Sequence, residues 1–171
     1  MHAADALPLP PPRYSDRVLP AYAYLPGGSL PHPVRDPAGH SHRADPPEPL
    51  LPPERWAGQG DYLHGVDLFN AGYFWEAHEA WEGLWQQATG VQRQYLHGMI
   101  QLAAAMLKQR CGLPRGARRL AERAAARLTP IAAAHARYMG TAMADVERAL
   151  QQLKTAPGHV RFAIHLDPTP P

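Results

Sequence analysis

The residues of this sequence best suited to chemistry are His78, Glu79 and Glu82. If the surrounding segment is a helix, each residue advances by about 100°, so His78 and Glu82 lie about 40° apart and Glu79 lies at the edge of their face. A histidine and a carboxylate four residues apart can chelate one ion from a single helix face, as the histidines of an HExxH motif do. Here the motif reads HExxE, and it is a candidate site for a divalent transition metal.

Two interpretations of this motif remain open. In the catalytic one, a bound metal lowers the pKa of a water molecule and Glu79 or Glu82 acts as the base, so the reaction would be a hydrolysis. In the structural one, His78 and Glu82 form a hydrogen bond that only fixes helix packing, because a carboxylate buried among aromatic side chains must be paired. Whether the protein is an enzyme is therefore left open, and no substrate follows.

The next helical segment carries a second line of polar side chains. Gln94, His97, Gln101 and Lys108 fall within about 60° of one another on a helix. We predict that Gln101 and Lys108 face His78 and Glu82 and belong to the catalytic set, Lys108 by neutralising carboxylates or by binding an anionic substrate group. The alternative is an ordinary solvated stripe.

Prolines divide the chain into an arm and a helical region. Fourteen of the 20 prolines lie in residues 1–55, four lie in the last 15 residues, and only Pro114 and Pro130 lie between. We predict a proline-rich extended arm over residues 1–55, of which 1–12 are disordered. The stretch 14–34 is too apolar for a solvated tail and should lie across the helices. In the arm, His32 and His40 are candidates to complete the metal ligands of His78 and Glu82, the alternative being surface histidines in a turn.

The region from 56 to 155 has helical periodicity interrupted by glycine and proline. We predict a helix that begins at Asp61 and stops at Gly72, and helices over 73–87 and over 92–110 with a stop at Gly112. Further helices are predicted from 114, as a short piece from 130, and from a cap at Thr141 to 153. Short connections place neighbouring helices antiparallel. Only residues 160–166 alternate as a strand would, and a lone strand has no evident partner. The sequence thus predicts an all-α fold, a compact antiparallel bundle of five to six helices with an extended N-terminal arm and an extended tail over 156–171.

Composition excludes several classes of protein. No run of about 18 apolar residues occurs, so no membrane span is expected. The first residues lack a basic stretch followed by an apolar one, and Cys111 is the single cysteine, so we expect a cytoplasmic protein without a disulfide framework. Some of the aromatic side chains are expected to be exposed, which is compatible with a homodimer.

Charge is unevenly distributed along the chain. Residues 58–90 hold five acidic and no basic residues, whereas residues 91–155 hold eleven basic and three acidic ones. An acidic helix facing basic helices would explain this, as would a basic surface for an anionic partner. A nucleic-acid partner remains an alternative that the lack of interleaved aromatic residues disfavours. The arginines concerned are Arg115, Arg118, Arg119, Arg123 and Arg127.

Two segments carry a family resemblance. Residues 67–85 read DLFNAGYFWEAHEAWEGLW and residues 96–105 read LHGMIQLAAA. Together they resemble domain-of-unknown-function family 309, whose members are small, all-helical bacterial proteins. The resemblance implies a helical fold and groups certain positions, but it implies no activity. The grouped positions are Asn70, Gly72, Glu76, His78, Glu79, Glu82, Trp85, Gly98 and Gln101.

A second likeness supports an alternative function. The glycine-punctuated connection at residues 112–117 looks like the turn of a tetratricopeptide hairpin, although the repeat does not recur along the chain. This likeness favours a non-catalytic protein–protein interaction module. The partner is thus an unknown small molecule or an unknown protein.

Overall fold

Five α-helices account for most of the described residues. A computed structural model describes residues 12–156, 158 and 160–167, and the statements below concern these residues. The helices are α1 (Gly60–Asn70), α2 (Phe74–Gln87), α3 (Gly90–Arg110), α4 (Pro114–Ala134) and α5 (Met143–Thr155), preceded by a 3₁₀ helix (Pro53–Gly58). A two-stranded antiparallel hairpin, β1 (Arg137–Tyr138) and β2 (Thr141–Ala142), connects α4 to α5. The all-α bundle with an N-terminal arm is confirmed.

Each helix packs against the next one along the chain, and two glycines allow the closest approaches. A Cβ atom on Gly65 of α1 would lie 2.2 Å from the indole nitrogen of Trp81 of α2. A Cβ on Gly98 of α3 would lie 2.4 Å from Leu128 of α4. Trp81 and Leu128, both fully buried, therefore fill the space that a larger residue at position 65 or 98 would need.

The predicted break at Pro130 is wrong, because α4 continues through this residue to Ala134. A proline inside a helix removes one backbone hydrogen bond. Here only the last turn follows it, and the buried Leu128 and Ile131 hold the helix to the core on both sides. Tertiary packing thus outweighs the local preference of proline.

The start of the last helix also differs from the prediction. α5 begins at Met143, and Thr141 does not cap it. The Thr141 side chain is buried and accepts a hydrogen bond from Tyr95 Oη at 2.8 Å, while Tyr62 Oη lies 2.8 Å from Tyr95 Oη. Burial raises the pKa of Tyr95 to about 12, so both phenols stay neutral at ordinary pH.

The two ends of the described chain lie extended on the helices. Asn70, at the end of α1, accepts from the backbone N–H of Ile164 at 2.7 Å and donates to its carbonyl at 2.8 Å. Tyr14 Oη accepts from the backbone N–H of Leu166 at 2.9 Å, so arm and tail meet. The alternating segment 160–166 is extended and forms one isolated β-bridge, between Leu166 and Thr141. The predicted disordered leader, apart from its last residue, lies outside the described residues.

Candidate functional site

Helix α2 presents three faces. Ala77, Trp81 and Leu84 face the core and are fully buried. Glu76 faces the N-terminal arm, where its side chain is only 4% exposed. The third face, which includes His78, is partly open to solvent. The interpretation in which a carboxylate is buried beside His78 finds no support, because more than a third of the Glu79 and Glu82 side chains is exposed.

His78, Glu79 and Glu82 form a compact polar group on the open face. Three ligand atoms, one from each residue, lie within 4.8 Å of one another. His78 Nδ1 is 3.3 Å from Glu79 Oε1, and His78 Nε2 is 3.8 Å from Glu82 Oε2. The side chains are 30%, 38% and 37% exposed, respectively. Solvent can therefore reach the group.

The protonation of His78 reflects these neighbours. Burial alone would lower the pKa of His78, but the hydrogen bond and charge of Glu79 and the charge of Glu82 outweigh it and raise the pKa above its ordinary value. A metal ion at the group would compete with that proton, so its affinity would rise with pH.

The distances allow a metal ion to bind either ring nitrogen of His78, Nδ1 together with Glu79 or Nε2 together with Glu82. Two donors bound to one zinc ion lie at most about 4.2 Å apart, because each bond is about 2.1 Å long. Nε2 of His78 and Oε2 of Glu82 meet this condition at 3.8 Å. With an ion on Nε2, Nδ1 would remain 3.3 Å from Glu79 Oε1, as in the carboxylate–histidine–metal arrangement common in metal sites.

Gln101 is connected to helix α2 indirectly, through His97 and Trp85. It lies 3.4 Å from His97 Nε2, and the His97 ring is 4.8 Å from the Trp85 ring, three residues beyond Glu82. Arg127 Nε donates to His97 Nδ1 at 3.0 Å, and burial with the nearby arginines lowers the pKa of His97. Among the described residues no hydrogen bond joins Gln101 to the His78 group.

Lys108 lies in the last turn of α3, and its aliphatic stem lies beside Gly116 in the first turns of α4. A Cβ on Gly116 would be 3.5 Å from Lys108 Cδ. Among the described residues no ion pair joins Lys108 to His78 or its neighbouring carboxylates. The place of Lys108 in the catalytic set therefore stays a prediction.

The arm histidines contact α2 on a different face from the one expected. His40 Nε2 lies 3.1 Å from Glu76 Oε1, which also accepts from the backbone N–H of Tyr24 at 2.8 Å. The ring of His32 meets Trp75 edge-on with centroids 5.3 Å apart, and Trp75 in turn lies 6.4 Å from the His78 ring. The described part of the arm thus packs beside the His78 group and contributes no ligand atom to it.

Sequence reasoning missed the role of Asp67, an acidic residue of α1 that anchors the arm. Asp67 is fully buried, and its carboxylate accepts from the backbone N–H groups of Tyr14 at 2.7 Å and Ser15 at 2.9 Å. Ser15 Oγ donates to it at 2.7 Å and Arg13 Nε lies 3.1 Å away.

Asp61 anchors the arm in the same way. It accepts from the backbone N–H of Glu48 at 2.7 Å and from Arg17 at 2.6 Å. Acidic residues in a segment without lysine or arginine were the available signal for these anchors.

The arginine face of α4 has no bound counterpart. Arg115, Arg118, Arg119 and Arg123 are exposed, and among the described residues none of them forms an ion pair. In the described part of the chain no helix combines the length and hydropathy needed to cross a bilayer.

Comparison with known proteins supports one relationship. Residues 62–120 match the family model described as a domain of unknown function (DUF309), which confirms the resemblance. The matched segment runs from α1 into α4 and includes the whole of α2. No curated protein and no solved structure matches the chain.

Proposed function

We propose that this protein binds a divalent transition metal ion on the open face of α2, through His78 Nε2 and Glu82, with Glu79 orienting the imidazole. The supporting observation is that the ligand atoms of the three side chains lie within 4.8 Å of one another on a partly exposed face. An imidazole nitrogen with carboxylate oxygens suits zinc and its neighbours in the first transition row.

The packing alternative has weaker support. The separation of 3.8 Å between His78 Nε2 and Glu82 Oε2 exceeds the normal range of an N–H···O hydrogen bond. More than a third of the Glu82 side chain is exposed, and an exposed ion pair of this kind contributes little to stability. A residue pair kept only for packing would be buried and closely bonded.

Two protein ligands leave several coordination positions for water or for a substrate group. A bound divalent ion lowers the pKa of its water and polarises a carbonyl or phosphoryl oxygen, so hydrolysis is the reaction class that this site would support. In this assignment Glu79 keeps its hydrogen bond to the His78 ring and acts as a positioning residue. Glu82 binds the ion.

Calorimetric titration of the full chain with zinc at pH 7.5 tests the proposal. We expect one equivalent to bind, and we expect His78→Ala and Glu82→Gln each to lower the affinity at least about tenfold. Glu79→Gln should lower it by about 10- to 100-fold, because it changes the partner of the ring N–H. His165→Ala removes an exposed histidine elsewhere and is the matched control. Equal zinc binding by wild type and His78→Ala would end the proposal.

A further inference from the structure

A large cleft separates the N-terminal arm from helices α1 and α2. Its volume is about 910 Å³, far more than a metal ion requires. Pro47 of the arm forms part of one wall, and Leu68 of α1 and Trp75 and Ala80 of α2 form part of the other. The cleft therefore offers room and apolar surface for a small organic molecule.

Two buried polar atoms at this cleft have no hydrogen-bond partner among the described residues. One is Oε2 of Glu76, whose side chain is only 4% exposed, and the other is Nδ1 of His64. Both residues line the cleft. Leaving a buried carboxylate oxygen unpaired is costly, so a group that donates to Glu76 Oε2 would be favoured there.

The charge of the lining favours a cation. Carboxylates contributed by both walls outnumber the single guanidinium of Arg17 by five to one. Arg17 is itself neutralised by Asp61 at 2.6 Å and by Glu48. Burial and the nearby Arg17 lower the pKa of His64, which disfavours a positive charge on its ring.

We propose that the cleft between the arm and helices α1 and α2 binds a small organic ammonium compound, whose nitrogen donates to Glu76 Oε2 and whose apolar body packs against Trp75 and Leu68. The site adjoins the metal group on the open face. Glu79 lines the cleft as well as belonging to the metal group, so the test avoids that residue and excludes metal ions with EDTA.

Three probes of equal size and different charge distinguish charge recognition from apolar burial. The full chain is titrated with benzylammonium, benzyl alcohol and benzoate in EDTA while the tryptophan indole N–H signals are followed by NMR. Benzylammonium should shift the Trp75 signal and leave that of Trp56, which lies outside the cleft, unchanged. We expect benzyl alcohol and benzoate to bind at least about tenfold more weakly.

Glu76→Gln tests the proposed contact without removing the anchor of the arm. The variant keeps Oε1 as the acceptor for Tyr24 N–H and replaces the unpaired oxygen with an amide N–H₂ group. We expect benzylammonium affinity to fall by about 10- to 100-fold. Glu122→Gln, an exposed carboxylate on α4, is the matched control and should bind as wild type does.

Three results would overturn the proposal: no Trp75 shift with benzylammonium at tens of millimolar, equal binding of the three probes, or unchanged affinity in Glu76→Gln. Protection of the bond after Arg17 from trypsin reports that the arm is still docked in each variant. If Glu76→Gln loses both benzylammonium binding and this protection, the wild-type protein loaded with benzylammonium is titrated with spermidine to test the ammonium site. Displacement of benzylammonium supports the ammonium site, and its absence contradicts it.

Discussion

Asp67→Asn should detach the N-terminal arm and lower the stability of the whole domain. The fully buried carboxylate accepts from Tyr14 N–H, Ser15 N–H and Ser15 Oγ–H at 2.7 to 2.9 Å. Asparagine retains one acceptor oxygen and turns the other position into a donor, which then faces an N–H group of the arm. At least one charge-assisted hydrogen bond is lost.

The expected cost of Asp67→Asn follows from these contacts. A hydrogen bond to a charged group contributes about 1.5 to 3 kcal/mol, and the remaining bonds weaken when the charge is removed. The ion pair with Arg13 adds little, because the Arg13 side chain is 41% exposed. We expect a loss of about 3 kcal/mol in the free energy of unfolding, which lowers Tm by roughly 6 to 12 °C in a domain of this size.

Urea denaturation and limited trypsin digestion measure the two consequences separately. The bond after Arg17 is held by the pairing of Arg17 with Asp61, and its cleavage should accelerate at least about tenfold in Asp67→Asn, because the arm opens more often. Asp16→Asn makes the same change at an exposed position of the same segment. The reasoning is refuted if Asp67→Asn stays within about 0.5 kcal/mol of Asp16→Asn and its cleavage rate is unchanged.

Three further predictions concern the core and its titratable groups. Gly65→Ala should destabilise the protein by about 1 to 3 kcal/mol in urea denaturation because its Cβ would overlap Trp81, whereas Gly58→Ala, whose nearest neighbour would be 3.6 Å away, should change stability by less than about 1 kcal/mol. Burial lowers the pKa of His64, so its contribution to stability is present above about pH 6.5 and is lost as pH falls through the lowered pKa. His64→Gln should flatten this dependence of the unfolding free energy on pH, and an unchanged dependence would contradict the lowered pKa. Since burial raises the pKa of Tyr95 to about 12, the stability of the protein should fall as pH rises from about 10 towards 12. Tyr95→Phe should be less stable than wild type at pH 8 but should lose less stability between about pH 10 and 12, as followed by circular dichroism.

Local periodicity was sufficient to predict most of the helices and the proximity of His78 to Glu82. Both depend on the α-helical repeat within one segment, which the sequence contains in full. The stops at Gly72 and Gly112 were also predictable, because both have positive φ angles of 83° and 70° that favour glycine.

Contacts between distant segments were not predictable in the same way. Glu76 is buried by Tyr24 and His40, which lie 52 and 36 residues earlier in the chain. At about 100° per residue, Glu76 lies about 160° around the helix from His78, but helical angles cannot show that the arm covers it. The same applies to Pro130, whose helix persists because Leu128 and Ile131 are buried by other elements.

Anomalous diffraction at the zinc edge from crystals of the full chain grown with zinc tests the metal assignment most directly. The account predicts one strong peak about 2.1 Å from His78 Nε2 and from a carboxylate oxygen of Glu82, with Glu79 still bonded to Nδ1. The peak should be absent from crystals of His78→Ala. A zinc ion bound elsewhere, or no peak at this group at saturating zinc, would contradict the account.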